Sequence, residues 1–214
     1  MIKRLYLDFD GTISDAKHIA ERSLIKTLDE FEYSYDKRKA KELLGWKMVR
    51  IFEEMNLPKK DLKKFRKRFY KLFTDAALRG GINLCVSVKP LYELSKKYKL
   101  VVVSNSETKF LRACIKKLRI EGLFSEVYGS EKFKEKNEML KKLFKKAGIK
   151  PSEAIYLGDR FSDVIYAKKA GCISVSIYNK CSWSTLPEIE AEKPDYIISD
   201  FYGLDKLVTR LNNT

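Results

Sequence analysis

Residues 4–12 of the chain read RLYLDFDGT, and this stretch decides the expected fold. An apolar run of strand length leads directly into a turn that carries two carboxylates, Asp8 and Asp10, followed by Gly11. In open α/β sheets, ligands bind beyond the carboxyl ends of the strands, so this turn is the first candidate site. Asp and Gly are also common in plain strand-ending turns, which is the alternative interpretation of the same residues.

The rest of the sequence alternates short aliphatic runs with longer segments of helical periodicity. Such alternation predicts an α/β fold around a largely parallel sheet. We expect strands at residues 4–9, 100–104, 126–128, 154–158, 172–178 and 196–199. We expect helices between them at residues 89–97, 109–119 and 137–146, and a last helix at about 202–211.

Residues 15–81 interrupt this pattern, because they hold amphipathic segments and no run typical of a strand. Helices are predicted there at residues 16–31, 36–44, 47–55 and 61–78. We therefore expect a catalytic core formed by residues 1–14 and 83–214, and a helical cap domain formed by residues 15–82. The chain crosses twice between the two parts, and two crossings can form a hinge.

Two further predicted strands also end in polar residues. Ser104 and Asn105 close the strand at 100–104, where backbone N–H groups at the start of the next helix favour an anion. Asp159 follows the strand at 154–158, and Asp163 lies four residues beyond it. Together with the first acidic pair, these carboxylates would complete an octahedral oxygen site for Mg²⁺ that accepts a phosphate oxygen. Helix capping explains each of these residues equally well when it is taken alone.

The sequence resembles the haloacid dehalogenase-like superfamily in four motifs that follow in order and span nearly the whole chain: Asp8-x-Asp10-Gly11-Thr12, Ser104, a lysine near position 136, and Gly158-Asp159-x-x-x-Asp163. The helical insertion resembles the cap of the phosphoglycolate phosphatase-like branch. The resemblance implies a Rossmann-like parallel sheet core with a helical cap inserted after the first strand. It also implies Mg²⁺-dependent hydrolysis of a small phosphorylated metabolite, such as phosphoglycolate, a sugar phosphate or a nucleotide.

The resemblance assigns a role to each motif. Asp8 would be the nucleophile that forms an aspartyl-phosphate. Asp10 would protonate the leaving group and then activate water. Mg²⁺ would be held by Asp8, the backbone carbonyl of Asp10 and Asp159, with Asp163 ligating or orienting it. The phosphate oxygens would be bound by Gly11, Thr12, Ser104, Asn105 and the motif-three lysine.

Asp10 favours phosphoryl transfer over dehalogenation, because a halide leaving group needs no proton and true dehalogenases lack this second aspartate by the family's pattern. Mutases of the β-phosphoglucomutase type carry a histidine shortly after the first motif. His18, the single histidine of the chain, lies at a different offset, and we interpret it as an exposed residue of the first cap helix. We therefore expect a phosphoric monoester hydrolase, with a phosphomutase as the alternative.

The motif-three lysine lies in a stretch crowded with lysines. Lys136 fits the form of the motif in which the lysine begins the helix. Lys134 fits the form that continues with proline, but Glu135 stands in the place of that proline. We predict Lys136 as the catalytic and phosphate-binding lysine, with Lys134 as the second choice.

Three cations are candidate contacts to the rest of the substrate. Lys47 and Arg50 follow a turn of the expected cap that resembles the segment dipping towards the core, and Arg160 stands where the family often has a small residue. The alternative is that Trp46 packs the cap helices together and the cations are solvated.

The chain carries 44 Lys and Arg against 29 Asp and Glu, a formal net charge of +15, which favours anionic partners. Residues 59–71 concentrate cations around the single acid Asp61 and interleave them with aromatic residues. This pattern supports a second alternative, a nucleic-acid-associated protein or polynucleotide phosphatase that uses the basic cap. The helical spacing of Phe65 and Phe69 instead favours a buried aromatic face, with the cations in solvent.

The apolar runs are of strand length, whereas a membrane span needs about 20 residues. The N-terminus lacks the pattern of a signal peptide. We therefore expect a cytoplasmic protein without a membrane partner, whose main partner is a small anionic phosphorylated substrate.

The 4 cysteines are widely spaced without a CxxC pair, so we expect small buried hydrophobes rather than a zinc site. The sequence does not indicate an oligomeric state.

Overall fold

The strands follow the expected order closely. The computed structural model describes residues 1–213. Within them the strands are β1 (Arg4–Leu7), β2 (Ser14–Asp15), β3 (Asn83–Leu84), β4 (Lys99–Val103), β5 (Glu126–Tyr128), β6 (Ala154–Gly158), β7 (Ile173–Ile177) and β8 (Tyr196–Ile198). The first strand is shorter than expected and ends at Leu7, because the N–H group of Phe9 turns to the Asp8 carboxylate instead of continuing the ladder.

Helices fill the segments between the strands. They are α1 (Lys17–Glu30), α2 (Lys37–Glu42), α3 (Met48–Glu54), α4 (Leu62–Ala76), α5 (Lys89–Lys97), α6 (Thr108–Lys117), α7 (Lys136–Ala147), α8 (Phe161–Ala170), α9 (Leu186–Ala191) and α10 (Phe201–Asn213). Gly148 and Gly171 end α7 and α8 in the left-handed conformation, with φ of 64° and 80°. Glycine adopts this conformation without a steric cost, which explains why both helices stop there. None of the helices in this part of the chain is long and apolar enough to cross a lipid bilayer.

The main sheet is parallel throughout, in the order β5-β4-β1-β6-β7-β8. Its central strand β1 is buried on both faces. Leu5 and Leu7 belong to the core on one side of the sheet, while Tyr6 packs on the other side against Phe144 of α7. The fold is therefore the α/β parallel-sheet architecture that the sequence predicted. Because β1 lies between β4 and β6, the residues that follow these three strands meet at one edge of the sheet.

Helices α1 to α4 form a helical insert between β2 and β3. The aromatic face predicted for the longest of them is present: Phe65, Phe69 and Phe73 of α4 are buried, and Phe73 stacks on Phe110 of α6 with ring centroids 4.0 Å apart. The cations of α4 therefore project from its remaining surface. A π-helical turn, Ala77–Gly81, follows α4 and leads the chain back to the sheet.

The two crossings between the insert and the sheet are joined to each other. Strands β2 and β3 are only two residues long and pair antiparallel, with Ser14 opposite Leu84. The sequence placed the crossings here but did not predict the strands, since two residues are too few to show any periodicity. The paired crossings fix both ends of the helical insert beside the loop that follows β1.

Candidate active site

The polar residues that follow the strands line a cavity of about 40 Å³ between the sheet edge and the helical insert. From the sheet edge, Asp8 and Asp10 line it after β1, and Ser104, Asn105 and Ser106 line it after β4. From the insert, apolar residues of α1, α3 and α4 close the opposite side. We call this space the site cavity.

A buried acidic cluster lies at this sheet edge. Asp8, Asp159 and Asp163 each offer a carboxylate oxygen, and these oxygens lie within 4.8 Å of one another. Lys136 joins the cluster, with its Nζ 2.8 Å from Oδ2 of Asp8 and 2.7 Å from Oδ1 of Asp163. All four residues are buried. One ammonium group among three carboxylates leaves an excess of negative charge.

Lys136 is the first residue of α7, so its side chain can extend from the helix start under the carboxyl end of β1. Its Nζ lies over the ring of Tyr156, 5.4 Å from the centroid. Burial lowers the pKa of Lys136, but the nearby carboxylates of Asp163 and Asp8 outweigh it and raise the pKa overall. Lys134, the second choice from the sequence, is exposed. The structure thus brings Lys136 into the cluster and leaves Lys134 outside.

Asp159 is held by neutral groups. Its carboxylate accepts hydrogen bonds from the Thr12 hydroxyl at 2.9 Å and the Trp183 backbone N–H at 2.7 Å. Burial raises the pKa of Asp159 well above its ordinary value, and repulsion from Asp163 and Asp8 adds to the shift. Gly11 (φ 83°) passes so close that a Cβ atom there would lie 2.3 Å from Oδ2 of Asp159. Thr12, expected to bind phosphate, has its hydroxyl engaged with Asp159.

Asp163 has both carboxylate oxygens engaged. Oδ1 accepts from Lys136 and from the hydroxyl of Tyr156, which lies 3.1 Å away, while Oδ2 accepts from the backbone N–H of Arg160 at 3.2 Å. Asp163 thus holds Lys136 and also offers a carboxylate oxygen to the acidic cluster, and its expected role, ligating the metal or orienting it, stays a prediction.

The side chain of Asp10 lies outside the acidic cluster and has its own partners. The Ser106 hydroxyl donates to Oδ2 at 2.6 Å, and the Ser14 hydroxyl donates to Oδ1 at 3.2 Å. Burial raises the pKa of Asp10 to about 7; repulsion from Asp8 adds to the effect of burial, and the two hydroxyls oppose it. A carboxyl group in this range can both give up and take up a proton near neutral pH.

The remaining predicted site residues divide into two groups. Ser104, Asn105 and Arg160 line the site cavity. Lys47 instead donates to the backbone carbonyls of Phe133 and Lys134, the latter at 3.0 Å. Arg50 is exposed and lies over the Trp46 ring, 3.6 Å from its centroid. Neither Lys47 nor Arg50 is among the residues that line the cavity.

Four residues of this site were not singled out in the sequence: Ser14, Ser106, Tyr156 and Trp183. Ser106 lies two residues after Ser104, so the rule that drew attention to the strand end would also have reached it. Trp183 follows β7 at the same sheet edge, but a lone tryptophan in a loop gives no signal of its own. The bonds of Ser14 and Tyr156 depend on tertiary contacts that no local pattern encodes.

The donor set of the cluster fits Mg²⁺, which prefers carboxylate and other oxygen ligands. Asp159 makes no ion pair within residues 1–213, and its carboxylate accepts hydrogen bonds only from the neutral Thr12 hydroxyl and Trp183 N–H groups there. Asp8 and Asp159 would hold the ion, and a divalent cation would offset the excess negative charge of the cluster.

We expect Mg²⁺ to raise the melting temperature of the protein, because the ion binds only the folded cluster. At a concentration 100 times its Kd, a ligand adds about 2.7 kcal/mol, or about 5–10 °C for a chain of this size. Thermal unfolding with EDTA and with Mg²⁺ measures the shift. Asp159→Asn should unfold at a higher temperature than the wild type in EDTA and should lose most of the response to Mg²⁺. An equal response in both proteins would place the ion elsewhere.

The chain is similar to a known family and to several characterised sequences. A family model described as haloacid dehalogenase-like hydrolase matches residues 5–177. A phosphoglycolate phosphatase of Pasteurella multocida (strain Pm70) is 32% identical over 132 residues, which cover 56% of this chain and 58% of that protein. The match therefore spans less than two thirds of that relative. A phosphoglycolate phosphatase of Aquifex aeolicus (strain VF5) is 29% identical over 210 residues, covering 91% of this chain and 94% of that protein.

Solved structures share the fold at low sequence identity. A crystal structure described as a predicted phosphoglycolate phosphatase from Haemophilus somnus 129pt has a TM-score of 0.80 at 24% identity, covering 97% of this chain and 98% of its own. One described as a predicted phosphatase from Clostridium acetobutylicum has a TM-score of 0.83 at 20% identity, covering 98% and 99%. The parallel sheet and the helical insert thus belong to an architecture already seen in these proteins.

Proposed function

The chain belongs to the haloacid dehalogenase-like hydrolase family, and on that premise we propose that it is a Mg²⁺-dependent phosphatase that hydrolyses a small phosphorylated metabolite. One observation carries the proposal: two carboxylates of a single loop have different surroundings. Asp8 contacts Lys136 in the acidic cluster, whereas Asp10 contacts two hydroxyls. Burial raises the pKa of both carboxyl groups, that of Asp10 to about 7, and Lys136 opposes the rise at Asp8. Separate environments for two neighbouring carboxyl groups allow one to act as a nucleophile and the other as an acid and base.

Asp8 is the nucleophile in this proposal. The Phe9 N–H donates to Oδ1 at 2.8 Å and Lys136 donates to Oδ2 at 2.8 Å, so the carboxylate is held in one orientation. A carboxylate oxygen attacks phosphorus, the bond from phosphorus to the ester oxygen breaks, and an aspartyl-phosphate forms. When bound, Mg²⁺ would supply positive charge that offsets the repulsion between the phosphate and the carboxylates. Lys136 adds positive charge beside the phosphoryl oxygens.

Asp10 is the general acid and the general base in this proposal. In the first step its carboxyl group gives a proton to the departing ester oxygen, and the alcohol leaves. In the second step the resulting carboxylate takes a proton from water as that water attacks phosphorus, which releases phosphate and restores both aspartates. Ser104 and Asn105 lie in the same cavity, where they would contact the non-reacting phosphate oxygens.

We propose that the helical insert acts as a cap over this chemistry. The loop between α2 and α3 contacts the core through four hydrogen bonds. Asn105 donates to the Gly45 carbonyl at 3.1 Å, Arg160 donates to the Leu44 carbonyl at 2.6 Å, and Lys47 donates to the carbonyls of Phe133 and Lys134, the latter at 3.0 Å. Closing the insert over the cavity would exclude water from the reacting groups. This retains residues 15–82 as the cap domain and residues 1–14 and 83–214 as the core.

We propose hydrolysis rather than mutase activity, in which the phosphoryl group would be transferred to a second position of a sugar. His18, the single histidine of the sequence, is exposed on α1 and does not line the site cavity. No histidine side chain is therefore available in the cavity for a mutase-type role.

The proposal is tested by phosphate release from p-nitrophenyl phosphate and a panel of phosphorylated metabolites, with Mg²⁺ and with EDTA. Release that needs the metal and is lost in Asp8→Asn would support it. Folded protein that releases phosphate from none of these compounds would contradict it. Conversion of a hexose phosphate to its isomer would instead identify a mutase.

We expect Ser106→Ala to slow the reaction in a way that depends on the leaving group. The Ser106 hydroxyl stabilises the Asp10 carboxylate that forms as the proton moves to the leaving oxygen, and a hydrogen bond to a charged group contributes about 1.5–3 kcal/mol. For an alkyl phosphate, kcat/KM should fall by about 10- to 100-fold. For p-nitrophenyl phosphate the loss should be smaller, because its phenolate leaves without full protonation.

Ser106→Thr keeps the hydroxyl and serves as the matched control. It should recover most of the activity lost in Ser106→Ala towards the alkyl ester. Equal losses for both esters would mean that Ser106 supports the fold of the loop and has no role in proton transfer.

A further inference from the structure

The exposed side of α4 carries a row of lysines. Lys64, Lys67 and Lys71 are spaced three and four residues apart, so they lie on one face of the helix, and Lys60 precedes them by four residues. All four are exposed, and we call them the α4 lysine row. The ion pairs of this segment belong to its two arginines, Arg66 and Arg68, whereas the lysines of the row make none within residues 1–213. The charge of the row is therefore available to a partner.

The row leads into a groove of about 360 Å³ between α4 of the insert and α6 of the core. Lys67 and Lys71 line this α4–α6 groove from one side, and Lys109 of α6 lines it from the other. Two aromatic rings also line it, the half-buried Tyr70 and the buried Phe110, with centroids 6.1 Å apart. A volume of this size is within the range of small-molecule sites, which is about 300–1,000 Å³. The groove thus combines free cations with an aromatic wall.

The acids of the groove already have cationic partners. Glu107 lies 2.7 Å from Nε of Arg66, and Asp75 lies 4.0 Å from a terminal nitrogen of Arg79. Lys109, like the lysines of the row, makes no ion pair within residues 1–213. Because arginines offset both carboxylates, the three lysines leave the groove with excess positive charge.

A row of cations that ends at an aromatic groove matches the chemistry of single-stranded nucleic acid. The cations follow the repeated phosphates of the strand, and an unpaired base stacks on an aromatic side chain. A lipid surface fits less well, because a membrane-bound helix needs exposed apolar residues, and Phe65, Phe69 and Phe73 of α4 are buried. A duplex also fits less well, since its bases are stacked and paired and cannot enter a groove.

We propose that a single-stranded nucleic acid lies along the α4 lysine row and places one base in the α4–α6 groove. The binding site is distinct from the site cavity, because none of Lys67, Lys71 and Lys109 lines that cavity. Tyr70 lines both spaces, so the groove lies directly beside the cavity. The inference goes beyond the proposed function and does not depend on it.

A combined variant with Lys67→Gln, Lys71→Gln and Lys109→Gln tests the inference. We measure the fluorescence anisotropy of a labelled dodecamer of thymidine nucleotides between 50 and 200 mM salt. The variant should bind about 10-fold or more weakly at about 0.1 M salt, because three phosphate contacts are lost. The slope of log affinity against log salt should become shallower by about 2, since each contact to a single strand contributes about 0.7.

A variant with Lys141→Gln, Lys142→Gln and Lys145→Gln is the matched control. It removes the same charge from exposed positions of α7, which packs on the opposite face of the sheet from α6. Its affinity should change by less than about 3-fold, because charges beyond about 10 Å are largely screened at this salt concentration. Thermal unfolding checks that both variants are folded. Equal losses in the two variants would mean that binding follows net charge alone, and the inference would be wrong.

A dodecamer without bases tests the role of the groove. It keeps the phosphates of the thymidine strand, so a difference in affinity reports the bases. The thymidine strand should bind about 5- to 150-fold more tightly if one base stacks in the groove. Equal affinity for the two strands overturns the inference, and so does tighter binding of a duplex of the same length or of anionic phospholipid vesicles. Absence of binding at 50 mM salt also overturns it. Because these measurements need no turnover, their failure leaves the proposed function standing, and failure of the phosphatase assay leaves them unaffected.

Discussion

Asp8→Asn is expected to lower kcat for phosphate release by about 10⁴-fold or more, because an amide cannot form the aspartyl-phosphate. The substitution preserves the shape of the side chain, and the Phe9 N–H can still donate to its carbonyl oxygen. Lys136 keeps its bond to Asp163 at 2.7 Å, so the cluster retains one ion pair. We therefore expect the variant to fold with its catalytic step removed. Phosphate release at saturating substrate, with far-UV circular dichroism as the check on folding, measures the effect.

Asp10→Asn is the matched control, since it lies two residues away in the same loop and in the same cavity. With p-nitrophenyl phosphate, which needs little help from an acid, the first step should proceed while the second lacks its base. Phosphoenzyme should then accumulate in Asp10→Asn and be absent in Asp8→Asn, as seen by intact mass after an acid quench. A phosphoenzyme in Asp8→Asn, or wild-type turnover by that variant, would show that another group is the nucleophile.

The positions of the main-sheet strands along the chain and the edge of the sheet that holds the site were predictable from the sequence, because both depend on local patterns. Buried parallel strands have short aliphatic sequences that can be recognised locally. Polar residues at their carboxyl ends lie at one edge of the sheet in any fold of this class. Asp8, Ser104 and Asp159 were located by that rule, and the structure places them together at the carboxyl edge of β1, β4 and β6. The choice between Lys136 and Lys134 also followed from a local feature, the start of α7.

The parts that were not predictable depend on contacts between distant segments. Strands β2 and β3 pair residues 14 and 84, and neither segment carries a pattern of its own. The Thr12 hydroxyl bonds to Asp159, which lies 147 residues away in sequence, and the role of Thr12 in binding phosphate stays a prediction. Lys47 was expected to face the substrate, but its ammonium group donates to two backbone carbonyls of the loop before α7. Sequence gives the type of such a residue, whereas its partner is set by how distant segments of the chain pack together.

Lys136→Met should reduce both activity and stability, because Lys136 is the cation between two buried carboxylates. Removing one partner of a buried ion pair costs about 3–5 kcal/mol, since the remaining charge is left uncompensated. We expect the free energy of unfolding in EDTA to fall by about that amount, as measured by urea denaturation. Methionine approximates the length and volume of lysine, so the loss reflects charge more than packing. Activity should fall by about 10²- to 10³-fold, because the phosphoryl oxygens lose a cation.

Lys134→Met separates this role from the general effect of removing a lysine. Lys134 is two residues away and exposed, and a surface substitution usually changes stability by less than about 0.5 kcal/mol. Mg²⁺ should restore part of the stability of Lys136→Met, because the divalent ion offsets the same carboxylate charge that the ammonium group did. Lys134→Met should show no such enhanced dependence on the ion. If Lys134→Met lost more activity than Lys136→Met, the motif-three lysine would be Lys134, and the contacts of Lys136 would serve the fold alone.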